Sequence, residues 1–304
     1  MTLKTLLLAV ITSLTLFPSS GQTRLITIDG TTIQIQTKGV ENRVPGQPVV
    51  VFESGLGTPL GNWDTLFDEV AKQAPVVAYD RPGIGDSAPN QEMPTLQNVT
   101  ERLRKVLQSL KLPPPYLLVG HSLGGVYVRG FALYYPQELA GLVIIDPADF
   151  TETCANLGLP WREVGFSQAK VDTLVMERKQ GKYKPNQEAP IAIQREGEVL
   201  FDLRKAEFTQ IRSTPLPDIP VAIVTSGRFD PFPNVATYDE ALFKAKMKYR
   251  IERWTNLMNT IPRGRLFYSA NAGHFVHRDD PLLVIASIQI TLRDYEKHRL
   301  AEKP

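Results

Sequence analysis

Short apolar runs alternate with amphipathic stretches through the first half of the chain. Four runs of four or five residues predict strands, at 48–52, 76–79, 116–119 and 141–145. Continuous runs of this kind are typical of strands that are buried on both faces. Between them, apolar residues recur at helical spacing and predict helices at 60–72, 95–110 and 123–135. Strands that alternate with helices over this length predict a mainly parallel, doubly wound sheet with helices on both faces.

The two ends of the chain extend this α/β pattern. Near the N-terminus, alternating runs at 25–28 and 32–37 are joined by Asp29-Gly30, which suits a tight turn. They predict an antiparallel hairpin at the edge of the sheet. After residue 216 the alternation resumes, with predicted strands at 220–225 and 265–269, a helix within 238–260 and a closing helix from Pro281.

The segment between these two regions does not follow the pattern. From 150 to 216 no buried strand is evident, and helical stretches at 167–179 and 198–211 lie among glycines and prolines. We interpret it as a mostly helical insertion, with a long irregular loop as the alternative. The predicted core domain therefore comprises 22–149 and 217–304.

The first residues form a separate segment. One basic residue, Lys4, precedes an apolar run at 6–17, and Pro18 to Gly21 supply a helix stop and small residues. Because a run of about 12 residues is short for a membrane span, segment 1–21 predicts a signal peptide cleaved near Gly21. The protein is then exported, to the periplasm or outside the cell; an uncleaved anchor or a buried helix is the alternative. No later stretch of the sequence is long and apolar enough to cross a bilayer.

Composition favours a compact domain that acts on a small or neutral partner. Of the 304 residues 22% are charged, and the formal net charge is only +2. No run of like charges suggests nucleic acid, an acidic polymer or a membrane surface as partner. Cys154 is the only cysteine, so neither an intrachain disulfide nor a thiolate metal site is expected. Nothing in the sequence indicates the oligomeric state.

A candidate nucleophile lies between the predicted strand 116–119 and the helix that follows. Gly120-His-Ser-Leu-Gly-Gly125 contains the pattern Gly-x-Ser-x-Gly with Ser122 at its centre. This spacing suits a turn so sharp that a Cβ two residues before or after the serine would collide with backbone. The helix N-terminus would favour a developing negative charge beside the serine. His121 is expected to pack against or orient this turn.

A serine hydroxyl needs a base to act as a nucleophile near neutral pH. His274 lies directly after the last predicted strand, at an edge where α/β sheets place functional groups. We favour it over His277, since Gly273 gives its loop the freedom to aim the ring inward. His298 lies in the charged C-terminal tail and is expected to be solvated.

A third group must orient the imidazole and stabilise its cation. Asp230 follows the predicted strand 220–225 and completes the order serine, acid, histidine along the chain. Asp146 is a rival, because it ends the strand 141–145 at the same kind of edge, and Asp149 is a weaker third candidate. We favour Asp230 and keep Asp146 as the alternative acid.

Backbone amides are the expected donors to the oxyanion that forms after attack. One is the amide of Leu123, directly after the nucleophile. The other is assigned to Leu56 in Ser54-Gly-Leu-Gly57, the loop after strand 48–52. A glycine-rich turn after a strand also suggests a phosphate loop, but the lysine–serine or lysine–threonine ending of a P-loop is absent.

With these residues together, the sequence from about Thr23 to Lys297 resembles the α/β-hydrolase superfamily. The resemblance rests on ordered motifs: Ser54-Gly-Leu-Gly57, Asp80-Arg-Pro-Gly-Ile-Gly-Asp-Ser87, Gly120-His-Ser-Leu-Gly-Gly125, Gly227-Arg-Phe-Asp230 and Ala272-Gly-His274. The second motif resembles a loop of the family after strand four, and we expect it to be structural. Glu53-Ser54 departs from the family, because many relatives carry a histidine before the oxyanion-loop glycine.

The resemblance implies hydrolysis of a carboxylic ester of a small or medium acyl substrate through an acyl-serine, without metal or cofactor. Ser122 argues against the epoxide-hydrolase and haloalkane-dehalogenase branches, which carry aspartate as nucleophile. Cleavage of an amide, lactone or thioester, or acyl transfer to an alcohol, uses the same triad and stays open. A non-catalytic binding protein on this fold is the alternative from another class.

The resemblance also assigns the insertion 150–216 to a helical cap over the site. In that arrangement, four aromatic residues are candidates to line an apolar substrate pocket. They are Trp63, Trp161, Phe166 and Tyr183.

Overall fold

A computed structural model describes residues 21–231 and 239–301. Residues 1–20 of the predicted signal peptide lie outside the described ranges, so export stays a prediction. The strands are β1 (Gln22–Ile28), β2 (Thr31–Lys38), β3 (Val49–Glu53), β4 (Val76–Tyr79), β5 (Tyr116–His121), β6 (Leu139–Ile145), β7 (Val221–Ser226) and β8 (Gly264–Ser269). Each was predicted from an apolar or alternating run.

Within the described ranges these eight strands form one sheet, in the order β1-β2-β4-β3-β5-β6-β7-β8. The β1–β2 and β2–β4 pairs are antiparallel, and the pairs from β4 to β8 are parallel. The predicted fold class, a mainly parallel sheet with an N-terminal antiparallel hairpin, is confirmed. Its central strand β5 lies between β3 and β6 and ends at His121, directly before Ser122.

Helices cover both faces of the sheet. They are α1 (Asp64–Ala71), α2 (Leu96–Ser109), α3 (Leu123–Tyr134), α4 (Leu159–Glu163), α5 (Gln168–Gln180), α6 (Ile191–Lys205), α7 (Thr209–Arg212), α8 (Glu240–Asn259), α9 (Val276–Asp279) and α10 (Pro281–Ala301). Side chains of α2, α3 and α8 pack in the apolar core on one face, and those of α1 and α10 in the core on the other. No helix of residues 21–231 and 239–301 is long and apolar enough to span a bilayer.

The segment between β6 and β7 contains α4 to α7 and is therefore helical rather than an irregular loop. The predicted helix 198–211 is wrong in its bounds, since α6 begins at Ile191 and ends at Lys205. Glu207 and Phe208 adopt a left-handed backbone, with φ of 53° and 50°, and separate α6 from α7. The Phe208 side chain is buried in the core at this turn, a tertiary contact that helical periodicity does not report.

Candidate active site

Ser122 lies on a sharp turn from β5 into α3, with φ of 55° and ψ of −117°. A Cβ at Gly120 would lie 2.4 Å from the carbonyl oxygen of Gly124, and one at Gly124 would lie 2.1 Å from that of Glu53. Neither position accepts a side chain, which is the steric reason for the Gly-x-Ser-x-Gly spacing. The Ser122 amide donates a hydrogen bond of 3.0 Å to Ile145, which ties the turn to β6.

The His274 ring contacts the Ser122 hydroxyl. His274 follows β8, and its Nε2 lies 3.0 Å from Ser122 Oγ, while its Nδ1 lies 2.7 Å from Asp146 Oδ2. Because a carboxylate only accepts, Nδ1 carries the proton and Nε2 is free to accept the hydrogen of the hydroxyl. The ring is half-exposed, with 50% of its side-chain surface accessible, so water reaches it from the open side.

The carboxylate beside His274 is that of Asp146, at the carboxyl end of β6. It is 3% exposed, and its Oδ1 accepts hydrogen bonds from Ser226 N at 3.1 Å and Ser226 Oγ at 3.0 Å. Burial raises the pKa of Asp146, but the charge of Arg250 and the hydrogen bond from His274 outweigh it and hold that pKa below its usual value. Asp146 is therefore ionised at neutral pH.

The expectation that Asp230 contacts the histidine is corrected by this geometry. The Asp230 carboxylate is 55% exposed and forms an ion pair of 2.9 Å with Arg228 instead. Strand order supplies the physical reason, because β6 is paired with β5 and β7 is one strand further from Ser122. Asp149 forms an ion pair with Arg253. Chain order alone does not distinguish these carboxylates.

Two other histidines lie behind His274 and are neutral. His121 Nε2 donates a 2.8 Å hydrogen bond to the carbonyl of His274, which connects the nucleophile turn to the loop that carries His274. His277 packs against the Trp63 ring at 4.7 Å and does not face Ser122. Burial lowers the pKa of His121 to about 3 and that of His277 to about 2. Of the two candidate bases, only His274 contacts the serine.

The loop after β3 lies against the nucleophile. A Cβ on Gly55 would be 3.3 Å from Ser122 Cβ, which is a tight contact, so the backbone of this loop lies close to the nucleophile. Leu123 is the first residue of α3, where an amide has no partner within the helix. In the described part of the chain, neither the Leu56 nor the Leu123 amide donates to another group. Their assignment as oxyanion donors stays a prediction.

The order of these features along the chain matches a known family. A model of the alpha/beta hydrolase family matches residues 50–287. The chain belongs to this family. A protein of Bacillus subtilis, YqjL, whose function is uncharacterised, is 24% identical over 275 residues, 89% of this chain and 92% of that protein.

Two further comparisons found similarity to proteins that are named as hydrolases. RutD of Cronobacter turicensis, named as a candidate carbamate hydrolase, is 38% identical over 103 residues, which cover 34% of this chain and 38% of RutD. The structure of a candidate lipase from Acinetobacter baumannii superposes with a TM-score of 0.58 at 17% identity, over 91% of this chain and 93% of the lipase. At that identity the lipase shows the fold alone.

In this α/β hydrolase, a buried arginine holds the predicted oxyanion loop. Arg81 Nη1 donates to Glu53 Oε1 at 2.5 Å and to the Ser54 carbonyl at 2.7 Å, and Nη2 donates to the Gly55 carbonyl at 2.7 Å. Its Nε donates to Glu196 of α6 at 2.6 Å. Glu53, the departure from the family pattern, is thus the ion-pair partner of Arg81. Glu196 lies 115 residues away, and no sequence signal linked the two.

Glu196 also connects the helical insertion to this loop. Its Oε2 accepts a 2.8 Å hydrogen bond from the amide of Gly57. Side chains of Arg81, Glu53 and Glu196 are only 1–3% exposed. Charges buried this deeply are stable only as a paired set. Removal of one member therefore leaves its partners unpaired.

We expect Arg81→Met to lower the free energy of unfolding by about 3–5 kcal/mol, because Glu53 and Glu196 lose their cation. Urea unfolding of the purified variant measures it. Glu196→Gln keeps a carbonyl oxygen for Gly57 and should lose less. The control is Arg265→Met, because Arg265 is 45% exposed in its ion pair with Asp294 and a pair open to solvent is worth about 0–1 kcal/mol. If Arg81→Met and Arg265→Met lost equal amounts of unfolding free energy, the stabilising role of the buried ion pairs around Arg81 would be contradicted.

A cavity of about 700 Å³ opens beside Ser122 and His274, between the helical insertion and α8. Of the four aromatics predicted to line it, only Trp161 does so. Trp63 is buried beneath the predicted oxyanion loop and donates to Ser54 Oγ at 2.9 Å. Phe166 packs edge-on against Trp161 at 5.0 Å, and Tyr183 packs on Phe201 away from the site. Charged side chains stand beside the apolar ones in this wall, which the prediction of an apolar pocket did not include.

Proposed function

We propose that this α/β hydrolase cleaves a carboxylic ester through an acyl-enzyme on Ser122. The observation that carries the proposal is the continuous hydrogen-bonded chain Ser122–His274–Asp146, with distances of 3.0 Å and 2.7 Å. A nucleophile within reach of a base, and a base oriented by a third group, is the arrangement that activates a serine. Relatives named as hydrolases support the same class of reaction.

Each residue has a defined part in the proposed reaction. Ser122 Oγ attacks the ester carbonyl while His274 Nε2 takes its proton, and Asp146 stabilises the imidazolium. The amides of Leu56 and Leu123 donate to the oxyanion, aided by the N-terminus of α3. His274 then protonates the leaving alcohol. A water molecule, deprotonated by His274, releases the acid and restores Ser122.

Two features favour hydrolysis of esters. The half-exposed ring of His274 gives water a path to the acyl-serine, which supports hydrolysis over transfer to another alcohol. An alkoxide is also a better leaving group than an amide nitrogen and needs less assistance from the acid.

The test uses p-nitrophenyl esters of increasing acyl length with purified protein, and a p-nitroanilide of the preferred acyl group as the matched amide. We expect ester turnover at least about 100-fold faster than anilide turnover, since general acid catalysis contributes on the order of 10²–10⁴. Added methanol should leave the free acid as the main product. Preference for the anilide would indicate an amidase, and acyl transfer to methanol as the main reaction would indicate a transferase.

A further inference from the structure

The cavity next to the proposed nucleophile has an excess of positive charge. Six basic side chains line it, namely Arg178, Arg204, Arg228, Lys246, Arg250 and Arg253. Five carboxylates do so, namely Asp146, Asp149, Glu152, Glu177 and Asp230. A cavity with one more cation than carboxylates is unlike the apolar pocket that a plain alkyl ester requires.

Four of these carboxylates are neutralised within the wall. Arg250 pairs with Asp146, Arg253 with Asp149, Arg178 with Glu152 and Arg228 with Asp230. These four pairs account for eight of the eleven charged side chains in the wall. The other three charged side chains of the wall are those of Arg204, Lys246 and Glu177.

Arg204, near the end of α6, is the cation of the cavity wall that most clearly lies outside the four ion pairs. No carboxylate of residues 21–231 or 239–301 lies within ion-pair distance of its guanidinium. The internal residues outside the description, 232–238, contain neither Asp nor Glu. Arg178 donates to the backbone carbonyl of Arg204 at 3.3 Å, so a second guanidinium is held beside it. Glu152 and Asp149 act on Arg204 only from a distance, so in the described part of the chain its guanidinium lines the cavity without a direct ion pair.

Lys246 of α8 lies on the same cavity wall. Its Nζ lies 5.1 Å from the centre of the Trp161 ring, where the ring face contacts a cation favourably. Trp161, Leu157, Leu174 and Met247 supply apolar surface within the same cavity. The cavity therefore combines apolar side chains with cations, next to Ser122.

We propose that this cavity binds an ester whose acyl chain ends in a free carboxylate, with Arg204 as the main recognition residue and Lys246 beside it. The planar guanidinium matches a carboxylate bidentately, and a single carboxylate equals the excess charge. The methylene chain would lie along Trp161. This substrate class, the monoesters of dicarboxylic acids, rests on the proposed ester hydrolysis at Ser122.

The test compares monoethyl adipate with ethyl hexanoate, whose acyl chains differ only in a terminal carboxylate or methyl group. Ethanol release gives kcat/KM for each. We expect the wild type to prefer the adipate ester about tenfold or more, and Arg204→Gln to lower that preference about tenfold, chiefly through KM. The control is Lys205→Gln, because Lys205 donates to the Gly181 carbonyl and does not line the cavity. It should retain the wild-type preference.

A binding measurement separates this inference from the proposed reaction. Ser122→Ala is titrated calorimetrically with monoethyl adipate, alone and combined with Arg204→Gln. If monoethyl adipate binds, Arg204→Gln weakens that binding, and the wild type does not turn the ester over, the carboxylate site stands and ester hydrolysis is overturned. Turnover of both esters without preference, or an equal effect of Arg204→Gln on both, would overturn the carboxylate site alone.

Discussion

The Asp146→Asn variant is expected to lose about four orders of magnitude in kcat. The wall around Asp146 determines how the new amide orients. Ser226 N and Ser226 Oγ donate to Oδ1, and Arg250 lies 3.3 Å from the same oxygen. The amide oxygen must take that place, which turns the NH2 group toward His274 Nδ1. His274 is then forced into the tautomer that cannot accept the hydrogen of Ser122.

The matched control is Asp230→Asn, in the carboxylate that chain order favoured. Asp230 is exposed and pairs with Arg228, and loss of such a pair costs about 0–1 kcal/mol. Its kcat should stay within about fivefold of the wild type, since about 1 kcal/mol at most is involved. Steady-state ester hydrolysis by both variants measures the difference. A severe loss of kcat in Asp230→Asn, together with near-normal kcat in Asp146→Asn, would assign the orienting acid to Asp230 instead.

The Ser122→Ala variant is expected to lower kcat by about 10⁵–10⁶. The fold should persist, because the hydrogen bonds that shape the turn are made by the Ser122 backbone, to Ile145, Gly125 and Ala148. Alanine adopts the required positive φ at a cost similar to serine. Residual turnover and the Tm of the variant measure the two effects separately.

Ser109→Ala serves as the control for this substitution. Its hydroxyl donates to the Val106 carbonyl in α2, at 2.8 Å, and Ser109 does not line the cavity. It should retain both activity and reaction with a fluorophosphonate, whereas Ser122→Ala should lose both. Fluorophosphonate labelling at a serine other than Ser122 would contradict the proposed nucleophile.

The sheet could be predicted from the sequence because each strand is indicated by a short run of neighbouring residues. Strand β5 is wholly apolar up to Gly120. The glycines at 120 and 124 mark the turn, because a Cβ at either position would collide with backbone. His274 was found from its place after the last strand. In each case a short segment carries both the pattern and the physical reason for it.

The remaining features depend on contacts between distant segments. Asp146 and Asp230 both follow strands, and only the order of β5, β6 and β7 in space shows which carboxylate reaches His274. Arg81 and Glu196 meet across 115 residues. The residues that line the cavity could not be predicted, because Trp63 and Tyr183 are of a residue type that is common in pockets but do not line this one. Burial, not composition, decides their role.

The most direct test of the central claim is to trap the acyl-enzyme. The protein is mixed with excess p-nitrophenyl ester, quenched in acid during turnover, digested and analysed by mass spectrometry. The account predicts an added mass equal to the acyl group on the peptide that contains Ser122, and no such mass in Ser122→Ala. Steady ester turnover that persists in Ser122→Ala, with no acylated peptide in either protein, would contradict it.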